Sequence, residues 1–195
     1  MKTLFSSLYR RVMLWSRHPR AVWILGGLSF AESSFFPIPP DVMLAPMSLA
    51  QPRRALWFAT VTTVTSVAGG VAGYLIGLWS FAAIEPWLMQ SHYWPAFLKA
   101  QAWFDQWGFW AVLIAGFSPI PYKVFTIAAG VAAMPLLPFV VASLIGRGGR
   151  FYLVALLMRW GGAPMEEALA RIVDRLGWIT VGLLLLVLAW KAWPE

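Results

Sequence analysis

The apolar stretches of this chain contain five ionisable residues, which are Glu32, Asp41, Lys123, Arg147 and Arg150. On insertion scales a charge within a bilayer costs about 2.5 to 3.5 kcal/mol, so each such residue is a candidate functional residue. Arginine binds pairs of phosphate oxygens through its planar guanidinium group, and lysine offers a compact positive charge. The three bases therefore predict a binding site for an anionic head group.

The two acids of this set predict proton coupling. Glu32 and Asp41 could take up a proton on one side of a membrane and release it on the other. Protonation would weaken their hold on the bases and free the bases for the substrate. The structural alternative is that these charges only form ion pairs that pin parts of the chain together, although buried ion pairs are weak stabilisers.

One hexapeptide occurs twice and carries two of these charges. Residues 37–42 read Pro-Ile-Pro-Pro-Asp-Val, and residues 119–124 read Pro-Ile-Pro-Tyr-Lys-Val. Both copies interrupt apolar sequence, and proline breaks helices, so each copy predicts the tip of a helical hairpin. The predicted tip residues are Pro37, Pro39, Pro40, Pro119 and Pro121. Because Asp41 in one copy is replaced by Lys123 in the other, the tips could form one shared site; the alternative is duplication alone.

The composition predicts an integral membrane protein. Hydrophobic residues make up 60% of the chain and charged residues 12%, and many of the 13 tryptophans stand near the ends of apolar segments, as in an interfacial aromatic belt. The net charge of +7 comes from dispersed basic residues, which argues against nucleic-acid binding. With no cysteine and two distant histidines, the sequence supports neither a metal site nor a disulfide, and we predict no cofactor.

The order of the apolar segments predicts a duplicated unit of hairpin plus span within one membrane domain. Residues 1–19 are expected to form an amphipathic surface helix, and the first repeat covers 20–83. An interfacial linker with a short amphipathic helix, 84–107, leads to the second repeat, 108–160, and residues 161–195 hold a surface helix and a last span. The proline breaks leave segments shorter than the roughly 20 residues of a membrane span, so we expect re-entrant hairpins.

The distribution of positive charge predicts the orientation. If both hairpins return to the side from which they enter, the N-terminal surface holds Lys2, Arg10, Arg11, Arg17, Arg20, Arg53, Arg54, Arg159, Arg171 and Arg175. The opposite surface holds only Lys99 and Lys191, so the N-terminus is expected in the cytoplasm. An odd number of crossings separates the repeats. The predicted fold is therefore an all-α integral membrane protein with inverted repeats, the usual construction of secondary transporters.

Three glycines of the first predicted span, Gly69, Gly73 and Gly77, recur at every fourth position. A stripe of such small side chains lets helices pack closely, and we predict that role for it. The alternative is a face that binds a second copy of the chain in a homo-oligomer. The stripe also aligns the two repeats, because Gly69-x-x-x-Gly73 best matches Gly146-x-x-x-Arg150.

The motifs resemble those of the DedA family, bacterial membrane proteins whose shared region also occurs in eukaryotic lipid scramblases. The resemblance rests on Phe30-x-Glu32, Phe36-Pro-Ile-Pro-Pro-Asp41, Gly73-Tyr74-x-x-Gly77, Phe117-Ser-Pro-Ile-Pro-Tyr-Lys123 and Gly146-Arg147-x-x-Arg150-Phe151. It implies two re-entrant hairpins that face each other. It also implies movement of phospholipids or polyprenyl phosphates across the bacterial inner membrane, linked to the proton gradient in several members, with the two acids and the bases of the second half as functional residues. Lys123 stands where many members have arginine.

The leading functional prediction is a lipid flippase or scramblase, with membrane lipids and protons as its partners. The alternative is a proton- or ion-coupled exchanger of small solutes built on the same broken helices. A lateral opening towards lipid would indicate the first, and a closed aqueous cavity the second. An enzyme is not predicted, because no histidine stands in a membrane segment beside a serine and two acids are too few for a metal-dependent site.

Overall fold

The computed structural model of the chain describes residues 18, 20–36, 38–118, 121–161 and 164. Nearly all of the predicted surface helix at 1–19, the tip prolines Pro37 and Pro119, and nearly all of the segment 161–195 lie outside the described residues. Within these residues the secondary structure is helical and contains no strand, so the predicted all-α class is confirmed.

The described residues form six α-helices with the same order of elements in each half. They are α1 at Ala21–Ser34, α2 at Asp41–Ala50, α3 at Ala55–Met89, α4 at Trp94–Phe117, α5 at Tyr122–Val131 and α6 at Leu136–Gly161. Each half thus has a helix, a proline-containing break, a ten-residue helix and a long helix. In the described part of the chain, α3 and α6 are the two helices long and apolar enough to cross a membrane.

The breaks between the paired helices follow from their prolines. A residue that precedes a proline avoids the helical conformation, and Ser118, just before the second Pro-Ile-Pro, is extended with φ −75° and ψ 161°. Pro121 is also extended, and α5 begins directly after it. In the first half Pro40 precedes α2, whose first residue is Asp41. Proline has no backbone N–H to donate, so it disrupts a helix interior, but it is tolerated at a helix start. The prolines of each break therefore separate one helix from the next.

The stretch 84–107, which the sequence predicts to be an interfacial linker with a short amphipathic helix, is mostly helical. Helix α3 continues to Met89 and α4 already begins at Trp94, which leaves only a short turn between the two helices. Pro95 stands in the first turn of α4, where its missing N–H removes no helical hydrogen bond. Pro86 lies close to the end of α3. The prolines and polar residues of this stretch, which by composition favour a linker, are therefore accommodated at the end of α3 and the start of α4.

The long helices α3 and α6 run side by side in opposite directions. Thr60, early in α3, shares a hydrogen bond of 2.7 Å with the hydroxyl group of Tyr152, late in α6. Further along α3, the ring of Tyr74 lies 5.3 Å from the ring of Phe139, near the start of α6. Residue numbers thus rise along α3 while those of its contacts in α6 fall. Opposite directions of the two long helices are what an inverted repeat requires.

Two buried apolar clusters pack the shorter helices against this central pair. The first joins α1 and α2 to the start of α3 and the end of α6, through Ala21, Leu25, Leu44, Met47, Ala55, Phe58, Ala59, Phe151 and Ala155. The second joins α4 and α5 to the later part of α3 and the start of α6, through Tyr74, Val112, Ala115, Tyr122, Ala129, Met134, Phe139 and Ala142. The two halves of the chain therefore pack in corresponding ways on the α3–α6 pair.

The glycine stripe of α3 faces helices of its own chain. A Cβ atom added at Gly69 would collide with the carbonyl oxygen of Phe30 in α1, and one added at Gly77 would collide with the carbonyl oxygen of Ile127 in α5. Gly73 lies between these two positions and is also buried. Because α1 and α5 cover the stripe, these three glycines do not present a surface to a second copy of the chain.

The second half repeats one of these close contacts. A Cβ atom added at Gly146 in α6 would collide with the carbonyl oxygen of Leu113 in α4, just as one at Gly69 in α3 would collide with α1. In both halves a glycine therefore lets the long helix approach the backbone of the first helix of its unit. This correspondence supports the alignment of Gly69 with Gly146 in the two repeats.

Candidate functional site

Arg147 is enclosed between the two halves of the chain. Its guanidinium group forms an ion pair with Glu32 of α1, and its Nε donates a hydrogen bond of 2.7 Å to Ser66 of α3. The guanidinium carbon lies 4.9 Å from the ring centre of Tyr122 and 4.6 Å from that of Phe151. A cation between two aromatic rings gains cation–π stabilisation in addition to its hydrogen bonds. Arg147 is therefore held by charge, hydroxyl and aromatic partners together.

Two serines close a ring of hydrogen bonds around this ion pair. Ser66 accepts from Arg147 Nε, so its own proton is free for Ser33, whose oxygen lies 2.7 Å away. Ser33 in turn donates to Glu32 Oε2 at 3.3 Å, and Glu32 also accepts from Arg147. Every polar group of the ring has a partner, as buried polar networks require. The sequence reasoning missed these serines, since small hydroxyl residues in apolar helices carry no distinct pattern.

Arg150 connects the two proline breaks. Its Nη2 donates to Asp41 Oδ2 at 2.6 Å, and its Nη1 donates to the carbonyl oxygen of Ser118 at 2.6 Å. Asp41 opens the helix that follows the first break, and Ser118 directly follows the helix that precedes the second. One side chain of α6 therefore contacts a residue beside each break. The partner of Asp41 is this arginine of α6, and not Lys123.

The two ion pairs differ in burial. The side chains of Arg147 and Glu32 are 3% and 12% exposed, whereas those of Arg150 and Asp41 are 18% and 21% exposed. Both arginines stand on one face of α6, because residues three apart are neighbours on a helix surface. Each pair joins an acid of the first half to an arginine of the second half. A ligand that approaches from the surface would therefore reach Arg150 before Arg147.

Two further polar groups of the site lack a hydrogen-bond partner among the described residues. Among the described residues, Asp41 Oδ1 is buried and has no hydrogen-bond partner. Lys123 is half-buried in the first turn of α5, and its ammonium group has no hydrogen-bond or ion-pair partner in the described part of the chain. Of the remaining predicted tip residues, Pro40 is buried while Pro39 and Pro121 are exposed.

Tyr122 is a further residue that the sequence reasoning left without a role. Its ring faces Arg147, and its hydroxyl group donates to Ser143 of α6, which donates in turn to the carbonyl oxygen of Phe139 at 2.6 Å. Tyr122 is fully buried at the start of α5. It therefore connects the second break both to the ion pair and to α6, and its place in the repeated hexapeptide was the signal that could have identified it.

The fold and the site together indicate a helical membrane protein. It is all-helical in its described part, has two helices long and apolar enough to span a membrane, and has two ion pairs that link its halves beside proline breaks. Residues 38–160 match the family model described as the VTT domain. The chain therefore belongs to the VTT-domain family, the DedA family of membrane proteins.

Two relatives match almost the whole chain. An uncharacterized protein of Haemophilus influenzae is 46% identical over 178 residues, which cover 91% of this chain and 93% of that protein. A protein of Histophilus somni is 42% identical over the same shares of both chains. The undecaprenyl phosphate transporter A of Staphylococcus aureus is 46% identical over 48 residues, 25% of this chain and 24% of that transporter. No solved structure matches the chain.

Proposed function

We propose that this protein is a flippase that moves a lipid with an anionic phosphate head group, a phospholipid or a polyprenyl phosphate, across the bacterial inner membrane. The observation that carries the proposal is the double ion pair, in which Glu32 and Asp41 of the first half hold Arg147 and Arg150 of the second. Carboxylate and phosphate both offer pairs of oxygens to a guanidinium group, so one can replace the other on the same arginine. The partial match to an undecaprenyl phosphate transporter favours the polyprenyl phosphate.

In the proposed membrane arrangement α3 and α6 span the bilayer, and the helices around the proline breaks form two re-entrant hairpins. With 14 and 10 residues, α1 and α2 are too short to span, and so is α5 with 10. Helix α4 is longer, but its first half carries Lys99, Gln101 and Asp105, and it turns apolar only from Gly108. By the distribution of basic residues, the N-terminus faces the cytoplasm.

The proposed cycle uses protons to open the ion pairs. Protonation of Asp41 removes the negative charge that holds Arg150, and a phosphate then takes its place on the guanidinium group. Arg150 is the first arginine to receive the phosphate, since it is the more exposed of the two. The unpartnered oxygen Asp41 Oδ1 gives the proton a place to bind. The ion pair of Glu32 and Arg147 lies inside its ring of hydrogen bonds, and it opens only when the two halves separate.

Reconstitution tests this function. Proteoliposomes would hold a fluorescent polyprenyl phosphate or a fluorescent glycerophospholipid, with and without an inwardly acidic proton gradient, and protein-free liposomes would serve as the blank. We expect the protein to speed exchange of the polyprenyl phosphate between leaflets, and the gradient to alter the rate. In Asp41→Asn, which resembles the protonated acid, the gradient should lose its effect. Gradient-driven uptake of a small solute without movement of either lipid would support the exchanger instead.

A further inference from the structure

An apolar groove of about 450 Å³ lies between α4 and α5. Its walls are formed by Phe97, Ala100, Gln101 and Phe104 of α4 together with Val124, Ile127, Ala128, Val131 and Ala132 at and just after α5. The two walls are antiparallel, because a short break joins the end of α4 to the start of α5 while Gln101 Nε2 donates to the carbonyl oxygen of Ala132 at 3.4 Å. One end of the groove therefore lies at the beginning of α5, and the other at the Gln101 contact.

Lys123 stands at the first of these ends. Val124, the next residue, lines the groove, and so do Ile127 and Val131, which follow Lys123 by one and two helical turns. Helical periodicity therefore places Lys123 at the edge of the groove face. Arg147 and Arg150 of α6 are already held by acids, but the ammonium group of Lys123 has no partner among the described residues. A half-buried cation that has no partner among the described residues, and that stands beside an apolar groove, fits a ligand with an anionic head and an apolar tail.

We propose that this groove binds the hydrocarbon chain of a polyprenyl phosphate, with the phosphate on Lys123. The inference rests on the proposed function and adds the place where the lipid tail is held. From Lys123 to Val131 the helix rises about 12 Å. A cavity of roughly 150 Å³ holds one benzene molecule, so the groove has room for about three groups of that size. That is space for one stretch of a single chain, which favours a single-chain lipid over a glycerophospholipid with two.

The position of the groove suggests how head group and tail are handled together. Lys123 stands in the first helical turn after the second proline break, and Arg150 is bonded to that break through Ser118. A phosphate on Lys123 would therefore lie beside the break that Arg150 reaches, while its tail stays in the groove between α4 and α5. The exposed Lys99 of α4 lies beside the wall residue Ala100 and gives a matched cation away from the break.

Photocrosslinking tests the groove in the unmodified protein. A polyprenyl phosphate with a diazirine in an isoprene unit near the phosphate would be reconstituted with wild-type protein, illuminated, and the crosslinked peptides mapped by mass spectrometry. We expect crosslinks in 97–104 and 124–132. An excess of two-chain phosphatidylglycerol should leave them unchanged. Crosslinks spread over the exposed faces of all helices, or displacement by phosphatidylglycerol, would overturn the proposal.

Two matched pairs of variants separate head group from tail. Ala128→Trp fills the groove, and Val64→Trp places the same side chain on the exposed face of α3. Lys123→Gln and Lys99→Gln each remove one cation. We expect crosslinking to fall several-fold in Ala128→Trp and Lys123→Gln but not in their controls; the reverse result for the lysines would overturn the head-group assignment.

The same crosslinking distinguishes the groove from the transport function. If the wild-type protein moves the lipid between leaflets but crosslinks at α1 and α2, the groove proposal fails while the transport function stands. If it crosslinks at the groove without moving the lipid, the binding site stands and the transport function fails. Absence of both crosslinks and movement overturns both.

Discussion

Arg150 donates to the carboxylate of Asp41 at 2.6 Å and so joins the second half of the chain to the first. The same guanidinium group donates to the carbonyl oxygen of Ser118, so one side chain contacts both proline breaks. Arginine suits this position because its fixed fork reaches two acceptors at once. A ligand that displaces Asp41 from Arg150 removes the bond by which Arg150 joins the two breaks. This displacement is the physical basis of the proposed transport.

Replacement of Arg150 by lysine should separate charge from geometry. Arg150→Lys keeps the positive charge, but an ammonium group cannot bridge both acceptors as the fork does. Because this pair is partly exposed and screened by solvent, we expect a modest loss of about 1 kcal/mol in the free energy of unfolding. Arg150→Gln should cost more, since it leaves Asp41 without its cation. Thermal unfolding in detergent measures both; equal stability of Arg150→Lys and wild type would contradict the bridging role.

The buried pair of Glu32 and Arg147 should show strong coupling. Removal of either partner leaves an uncompensated buried charge, so Arg147→Met or Glu32→Gln alone should cost roughly 3 to 5 kcal/mol of stability. The double variant should cost much less than the two single losses together, because no unpaired charge remains. Arg159→Met, at an exposed position of the same helix, is the control. Additive losses in this double-mutant cycle would show that the two residues do not act as a pair.

Close packing at Gly69 and Gly146 should make both sites intolerant of alanine. The added Cβ would meet a backbone carbonyl oxygen that cannot move without shifting a helix, so we expect each variant to lose about 1 to 3 kcal/mol. Gly27→Ala is the control, because nothing lies within 4 Å of its added Cβ. There alanine should be neutral or stabilising through its higher helix propensity. A loss at Gly27 as large as at Gly69 would refute the packing explanation.

Tyr122→Phe should isolate the hydroxyl group from the ring. The variant loses the hydrogen bond to Ser143 but keeps the aromatic face 4.9 Å from Arg147. We expect a loss of about 0.5 to 1.5 kcal/mol, the usual net value of one hydrogen bond. Tyr122→Leu removes the ring as well and should be less stable than Tyr122→Phe. If the two variants unfold at the same temperature, the cation–π contact contributes nothing measurable.

Local patterns in the sequence were sufficient for the helical class, the long apolar helices and the four ionisable residues that form the two ion pairs. Hydrophobic length defines a span, and an ionisable residue in apolar sequence is visible without a structure. The proline breaks were equally visible, because proline acts on the residues next to it. These are properties of neighbouring residues, which is why the sequence reveals them.

The pairing of the charges could not be derived in the same way. Which acid meets which arginine depends on how α1, α2 and α6 pack, and the second acceptor of Arg150 is a backbone carbonyl that any residue could offer. Tryptophan, proline and glutamine made 84–107 read as a linker, although most of it lies in α3 and α4. The pairing of the charges thus depends on contacts between distant helices, which composition does not reveal.

The most direct test of phosphate binding at Arg150 is the initial rate at which a fluorescent polyprenyl phosphate crosses the bilayer of proteoliposomes. Arg150→Gln would be compared with Arg159→Gln, which removes the same charge from an exposed position of α6, at equal amounts of folded protein. If phosphate replaces Asp41 on Arg150, the rate of Arg150→Gln falls to about a tenth of wild type or less, while Arg159→Gln keeps the wild-type rate. A wild-type rate in Arg150→Gln would contradict the proposed transport site.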